Sequence, residues 1–363
     1  MNSKEQIDEL MKPRSYRAVV SSGFRFYTAH FRTVFKSSWL MALAYSLMVG
    51  LTGLVAAVQM PKVVMKLITL TQHGADSTAL IDSQKSYFIT GGLLVVFVIV
   101  CMLLLAVTIG CVLTRLKEHK ENHTLVLPTS WWKPNFLLAW RTVKGGIFTS
   151  LLTIIPIALL AGGTIAYSIA SPQSFATHST TVCVAVVILS LLIIAFGLPI
   201  VPTLIHYIFS ERTPFLQALR ANYKGGLRFW GGLFAIVIID VLWAIIVDLI
   251  ICLPAKILFM ANLSAQTGQL YGDPLSMPAY MPMLTFVTFT ICGFFQFFAT
   301  LPALFHSYYA YGAIVSREQE RFRQAKCAEV KLALKSAMAR KDVMNGTSEY
   351  NKNHTLDIFS QTP

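Results

Sequence analysis

The sequence predicts an all-α membrane protein of six transmembrane helices in three related hairpins, with interfacial helices on the cytoplasmic face. Three observations carry this. Six stretches are long and apolar enough to cross a bilayer, the charges flanking them fall on one side, and the segment that leads into the odd-numbered spans recurs. Hydrophobic residues make up 55% of the chain and charged residues 13%, a balance too apolar for an ordinary water-soluble domain.

A bilayer core about 30 Å thick needs about 20 apolar residues in a helix. Trp39 to Val58 and Ser86 to Thr114 contain no charged residue. The third span fits Ile147 to Ala170, and the fourth runs from about Thr180 to Phe209. The fifth lies between Arg228 and Lys256, with Asp240 and Asp248 as its charges. The sixth fits Met281 to Ile314. This divides the chain into a basic amphipathic segment (1–37), a six-helix membrane domain (38–315) and a basic tail (316–363).

Orientation follows Lys and Arg in the flanks. Seven precede the first span, six lie between the second and third, four between the fourth and fifth, and nine in the tail. The other side has Lys62, Lys66, Lys85 and Lys256. Both termini are therefore expected in the cytoplasm. The net charge of +13 reads as a topology signal, not as nucleic-acid binding. The first 37 residues lack the apolar core and small-residue site of a cleavable signal, so the first span is expected to direct insertion. The six cysteines show no metal or disulfide spacing and read as packing residues.

The basic lead-in segments compare closely. One reads Phe136-Leu-Leu-Ala139-Trp-Arg141-Thr-Val-Lys144-Gly145-Gly146. Another reads Phe215-Leu-Gln-Ala218-Leu-Arg220-Ala-Asn-Tyr-Lys224-Gly225-Gly226, with one residue more. The first, Phe24 to Lys36, is looser, but Arg25, Arg32 and Lys36 share one narrow stripe of a helix. Such helices either lie in the interface with their basic edge toward lipid phosphates or pack on the end of the bundle. Arg25, Arg32, Lys36, Arg141, Lys144, Arg220 and Lys224 are the candidate phosphate contacts. The fourth and sixth spans also share a run: Pro202-Thr-Leu-Ile-His206-Tyr207 resembles Pro302-Ala-Leu-Phe-His306-Ser-Tyr308.

The Phe-x-x-Ala-x-Arg run before Lys224-Gly225-Gly226, together with the Pro-rich span end before Glu211-Arg212, resembles a broad set of bacterial inner-membrane families. These include the membrane domain attached to some glycerophosphodiester phosphodiesterases. The resemblance covers roughly residues 20–320 and implies a multi-pass protein of the bacterial inner membrane. There is no room for a catalytic barrel, so it implies no phosphodiesterase residue.

Asp240 and Asp248 are the sharpest candidates for a polar site. A mid-span carboxylate costs about 2.5–3.5 kcal/mol on insertion scales, so it should face protein or water. Asp240 lies near the midplane; Asp248 is two turns further out. A proton or cation relay, a contact for a polar substrate, or a structural hydrogen bond to a neighbouring helix accounts for them. His206 and His306 lie near the cytoplasmic ends of their spans, where backbone bonding is the expected role and convergence on a metal the alternative. His119 and His123 sit in Lys117 to Asn122 and its edge, which reads as a solvated linker. Pro199, Pro202 and Pro302 should kink or break their spans. Gly145, Gly146, Gly225 and Gly226 should permit close helix packing. The outer loop from Lys256 to Met281, with Asn262, Tyr271, Asp273, Pro274 and Pro278, is long enough to fold over the bundle's mouth. The tail to about Lys341 should be helical, and polar composition suggests disorder beyond Asn345.

No catalytic, metal or nucleotide motif is present. The leading expectation is a non-enzymatic factor that binds lipid with anionic headgroups or a membrane-protein partner, without a cofactor. The alternative is a small-molecule or ion transporter using Asp240. A lipid-modifying enzyme ranks third, for want of an acid–base pair or metal cluster.

Overall fold

The structure, a computed structural model, describes residues 10, 12–72, 77–122, 136–170, 172–210, 213–270 and 278–359. Among the described residues the fold is all-α and contains no strand. It divides into two units, Met1–Ile314 and Val315–Pro363. The described residues hold six helices long and apolar enough to cross a membrane, so this is a multi-pass membrane protein.

Helix α1 (Tyr16–Leu54) starts where the Ser15 hydroxyl accepts from the Ala18 N–H at 3.4 Å. It passes without a break into the first span. The basic stretch Phe24 to Lys36 therefore belongs to the same helix as the span and is not a separate interfacial segment. One face of α1 is buried through Val19, Gly23, Tyr27, Val34, Ser38, Ala42, Ser46 and Gly50. From Ser38 to Gly50 these residues are small and four apart. In a bilayer, where apolar surface alone does not drive association, such a stripe lets backbones approach. The partner is α10 (Met281–Thr300). A Cβ on Gly50 would lie 2.9 Å from the Phe286 carbonyl oxygen, and one on Gly293 would lie 3.0 Å from Val49. The α1–α10 pair is the centre of the bundle.

A π-helical turn, Val55–Gln59, joins α1 to α2 (Met60–Gln72). Helix α3 (Ser77–Asn122) packs on α1 and α2, and α4 (Phe136–Ala170) on α3. The second basic segment, like the first, is continuous with its span. The fourth span is in two pieces, α5 (Pro172–Gly197) and α6 (Ile200–Phe209), broken at Leu198-Pro199. Pro202 sits in the first turn of α6, where it replaces no intrahelical donor.

Helix α7 (Phe215–Arg228) is separate from α8 (Trp230–Ile251), so only the third basic segment is a helix of its own. The break is at Phe229, with φ −103° and ψ 15°. Its N–H bonds the carbonyls of Gly225 and Gly226, and its ring closes over Gly232, where a side chain would collide with it.

Residues 253–270 correct the expectation of an outer loop: they form helix α9 (Leu253–Leu270). It packs on α10, α2 and the π turn. Asn262 and Gln266, one turn apart, are buried there. Asn262 Nδ2 donates to Thr285 Oγ1 at 3.2 Å, and Gln266 Nε2 to the Val58 carbonyl at 3.1 Å. Burial of this face is what makes the stretch helical. Tyr271, Asp273 and Pro274 lie outside the described residues.

The sixth span is broken at Leu301, and α11 (Pro302–Phe359) begins with Pro302. That helix continues past Asn345, where disorder was expected. No proline follows Pro302 before Phe359, so each later N–H can reach the carbonyl four residues back. Residues 117–122 are likewise the last turns of α3 and not a linker.

The outward faces are apolar: Phe88 is 73% exposed, Leu159 71% and Ile250 71%. Such patches would drive aggregation in water; facing lipid they cost nothing.

Candidate functional site

Asp240 is the eleventh residue of the 22-residue α8, at the middle of that span. Its carboxylate accepts from Nδ1 of His306 at 2.6 Å. The His306 side chain is 5% exposed and that of Asp240 15%. His306 is the fifth residue of α11, directly after the break at Leu301. Gly23 of α1 makes room for the imidazole: a Cβ there would lie 2.6 Å from Cδ2 of His306. Nε2 of His306 is buried and has no partner. One half of the polar pair is therefore satisfied and the ring's other nitrogen is not.

The helix breaks beside this pair follow from proline. Residue 302 has no N–H, so the Phe298 carbonyl loses its intrahelical donor. The Tyr27 hydroxyl donates to it at 2.7 Å. Trp243 Nε1 donates to the next carbonyl, Ala299, at 2.8 Å. The fourth span repeats the arrangement. Pro199 denies the Ala195 carbonyl its usual donor; the Leu198 N–H reaches it at 3.3 Å, and Trp230 Nε1 donates to it at 2.8 Å. The Tyr223 hydroxyl donates to Phe196 at 3.0 Å. In a bilayer a freed carbonyl needs such a donor, because water is absent.

His206 takes a different partner from His306. Its Nδ1 shares a 3.1 Å hydrogen bond with the Tyr311 hydroxyl. Lys120 Nζ donates to that hydroxyl at 3.5 Å and lies over the Tyr311 and Phe209 rings. His119 Nδ1 bonds the Tyr308 hydroxyl at 3.2 Å, and Tyr308 donates to the Leu116 carbonyl at 3.4 Å. The three histidines thus stand on separate partners. Among the described residues no group of three His, Cys, Asp or Glu comes together. His123 lies outside the described residues.

Asp248, at the other end of α8, is ion-paired with Lys256 of α9 and accepts from Gln296 Nε2 at 3.4 Å. Cys252 Sγ donates to Gln296 Oε1 at 3.1 Å. With both side chains about two-fifths exposed, this is a helix-end polar cluster and not a continuation of the Asp240 site.

The basic candidates divide. Arg141 is turned inward: Nη2 donates to the carbonyls of Tyr207 at 2.8 Å and Thr213 at 2.9 Å, and its guanidinium lies 4.3 Å from the Tyr207 ring centroid. It closes the C-terminus of α6. Arg25, Arg32, Lys36, Lys144, Arg220 and Lys224 are exposed. Lys144 also lies over the Trp140 ring at 5.3 Å. The glycine pairs divide too. Gly145 faces Leu204 and Tyr207, and a Cβ on Gly226 would lie 2.8 Å from Pro199 Cβ. Gly225 is buried. Gly146 faces open space, so close approach in that pair belongs to Gly145 alone.

Sequence reasoning missed Tyr27, Trp230, Trp243 and Lys120. The signal for the aromatic residues was present. A proline inside an apolar span removes the N–H due to the carbonyl four residues before it, and a Tyr or Trp elsewhere in the chain is a donor that can replace it.

Comparison with protein-family models, with curated proteins and with solved structures finds no match to this chain.

Proposed function

We propose that this is a non-enzymatic protein of the bacterial inner membrane, with both termini in the cytoplasm, that binds membrane lipid with anionic headgroups. The observation that carries the reading is α7. This short helix is separate from the span that follows it, and it exposes Arg220, Lys224 and Arg228 beside Leu216, which is 64% exposed. A helix with apolar and cationic surface next to a transmembrane bundle suits the headgroup layer, where each cation adds about 1 kcal/mol of attraction to an anionic leaflet.

The test is the lipid that stays with the protein through detergent purification. Anionic phospholipid enriched over its share in the source membrane is the expected result. A retained pool with the bulk composition would overturn the reading.

A second reading, a proton-coupled transporter using Asp240, is favoured by one observation. A mid-span carboxylate, a costly group in a membrane helix, is hydrogen-bonded to a buried imidazole. Purified protein in liposomes with an internal pH dye, compared with Asp240→Asn, tests it. Solute-dependent proton flux present in the wild type and lost in the variant is the expected result under this reading.

A further inference from the structure

A groove of about 620 Å³ lies between α4, α5 and α7. Its walls are apolar, with Leu152 from α4 and Leu192 and Ile193 from α5. Its α7 wall is different: Arg220 and Lys224, one helical turn apart, both line it, with Tyr223 beside them. The Tyr223 hydroxyl is held on the Phe196 carbonyl, which fixes α7 against the break in the fourth span. Gly226 lets α7 approach Pro199 at that same break. The groove is therefore a product of two sequence features, the Pro199 break and Gly226, and its α7 wall sets two cations beside a hydrocarbon lining.

We infer that this groove is a specific phospholipid site: one acyl chain lies along α5 and a headgroup phosphate sits on Arg220 and Lys224. The inference rests on the lipid-binding reading above and names its site. Its volume lies in the range of about 300–1,000 Å³ typical of ligand sites. The cations and the cleft together select the ligand. A soluble anion would leave the apolar walls unused, and an apolar molecule would leave two cations without a counterion. A lipid with net negative charge satisfies both, and two cations exceed the single phosphate of a zwitterionic lipid whose own ammonium already balances it. A second groove of about 500 Å³, between α3 and α4, provides the contrast: residues such as Met102, Leu103 and Ile155 line it and no charged residue does.

The experiment is native mass spectrometry of the full chain in detergent, titrated with phosphatidylglycerol or phosphatidylcholine of identical chains. Wild type should prefer phosphatidylglycerol by about 30-fold, the product of two cations near an anionic headgroup. Arg220→Gln with Lys224→Gln should abolish that preference, and Ile193→Trp, which fills the cleft, should weaken binding of both lipids. Leu103→Trp, in the uncharged groove, should leave the preference as it is. A preference that survives both the Arg220/Lys224 and the Ile193 variants would overturn the site while leaving lipid binding intact. No preference in the wild type would overturn both. Displacement of bound lipid by millimolar inorganic phosphate alone would mark a simple anion site and overturn the acyl-chain assignment. A shift of every variant to unfolded protein is detected by the charge-state distribution; Arg220→Lys, which keeps the charge, must then retain the preference for the site to stand.

Discussion

His306 Nδ1 donates a 2.6 Å hydrogen bond to the carboxylate of Asp240, joining two helices whose partners lie 66 residues apart in sequence. The bond answers a cost. A carboxylate at mid-span without a partner is among the most expensive groups a membrane helix can carry. Here the partner comes from the first turns after a proline break, and a glycine on a third helix clears the space it occupies.

Asp240→Ala and His306→Ala should each cost about 1–3 kcal/mol, the penalty of a buried polar group left without its partner. The double variant should cost less than the sum, because the second change removes the orphan left by the first. Denaturant titration in micelles measures the cycle. Strict additivity would mean that the pair is not coupled.

The proline-orphaned carbonyl gives a rescue test. Tyr27→Phe removes the donor to the Phe298 carbonyl and should lower stability by about 1–3 kcal/mol. Adding Pro302→Ala restores a backbone N–H four residues on, so the double variant should recover part of the loss. If Pro302→Ala deepens the loss equally with and without Tyr27, the hydroxyl is not answering that carbonyl.

Arg141 should not tolerate Lys. Its guanidinium bonds two carbonyls and stacks on Tyr207. An ammonium cannot reproduce that fork, so Arg141→Lys should cost about 1–3 kcal/mol. Arg220→Lys, at an exposed position, should cost nothing measurable in the absence of lipid. Thermal melting of the two variants in the same detergent compares them directly.

The glycine pairs separate cleanly. Gly226→Leu should reduce folded protein in the membrane, because its side chain would enter Pro199. Gly146→Leu should be tolerated, since nothing lies within 4 Å of the new Cβ. Fluorescence-detected size exclusion of both would read this out, and equal behaviour would contradict the packing assignment.

Topology remains the broadest prediction. Reporter fusions after residues 75, 175 and 275 should be active on the outer side, and fusions after 122, 212 and 330 on the inner side. An inner signal at 175 would remove the middle hairpin.

The apolar runs and their missing charges were enough to determine the class of this protein, because a bilayer accepts only backbones that satisfy themselves, and over these lengths that means helices. Pro199 and Pro302 mark the breaks in the fourth and sixth spans, since the lost N–H is a property of those residues, but Pro156 lies within an unbroken α4, so a proline alone does not dictate a break. Asp240 could be singled out as costly from its place in the span alone. Its partner could not, because several groups could have answered the same charge and their choice depends on which helices become neighbours. Packing decided that: Gly23 of α1, which looks ordinary in the sequence, clears the space in which the His306 ring meets α8. The same limit applies to Arg141 and Arg220. They match in the repeated segment, yet one is turned onto backbone carbonyls and the other lines a groove. Local sequence sets which groups a helix carries; only the packed neighbours determine which of them remain open to lipid. The stretch 253–270 illustrates the point from the other side, since its moderate polarity reads as loop until Asn262 and Gln266 find buried partners on adjacent elements.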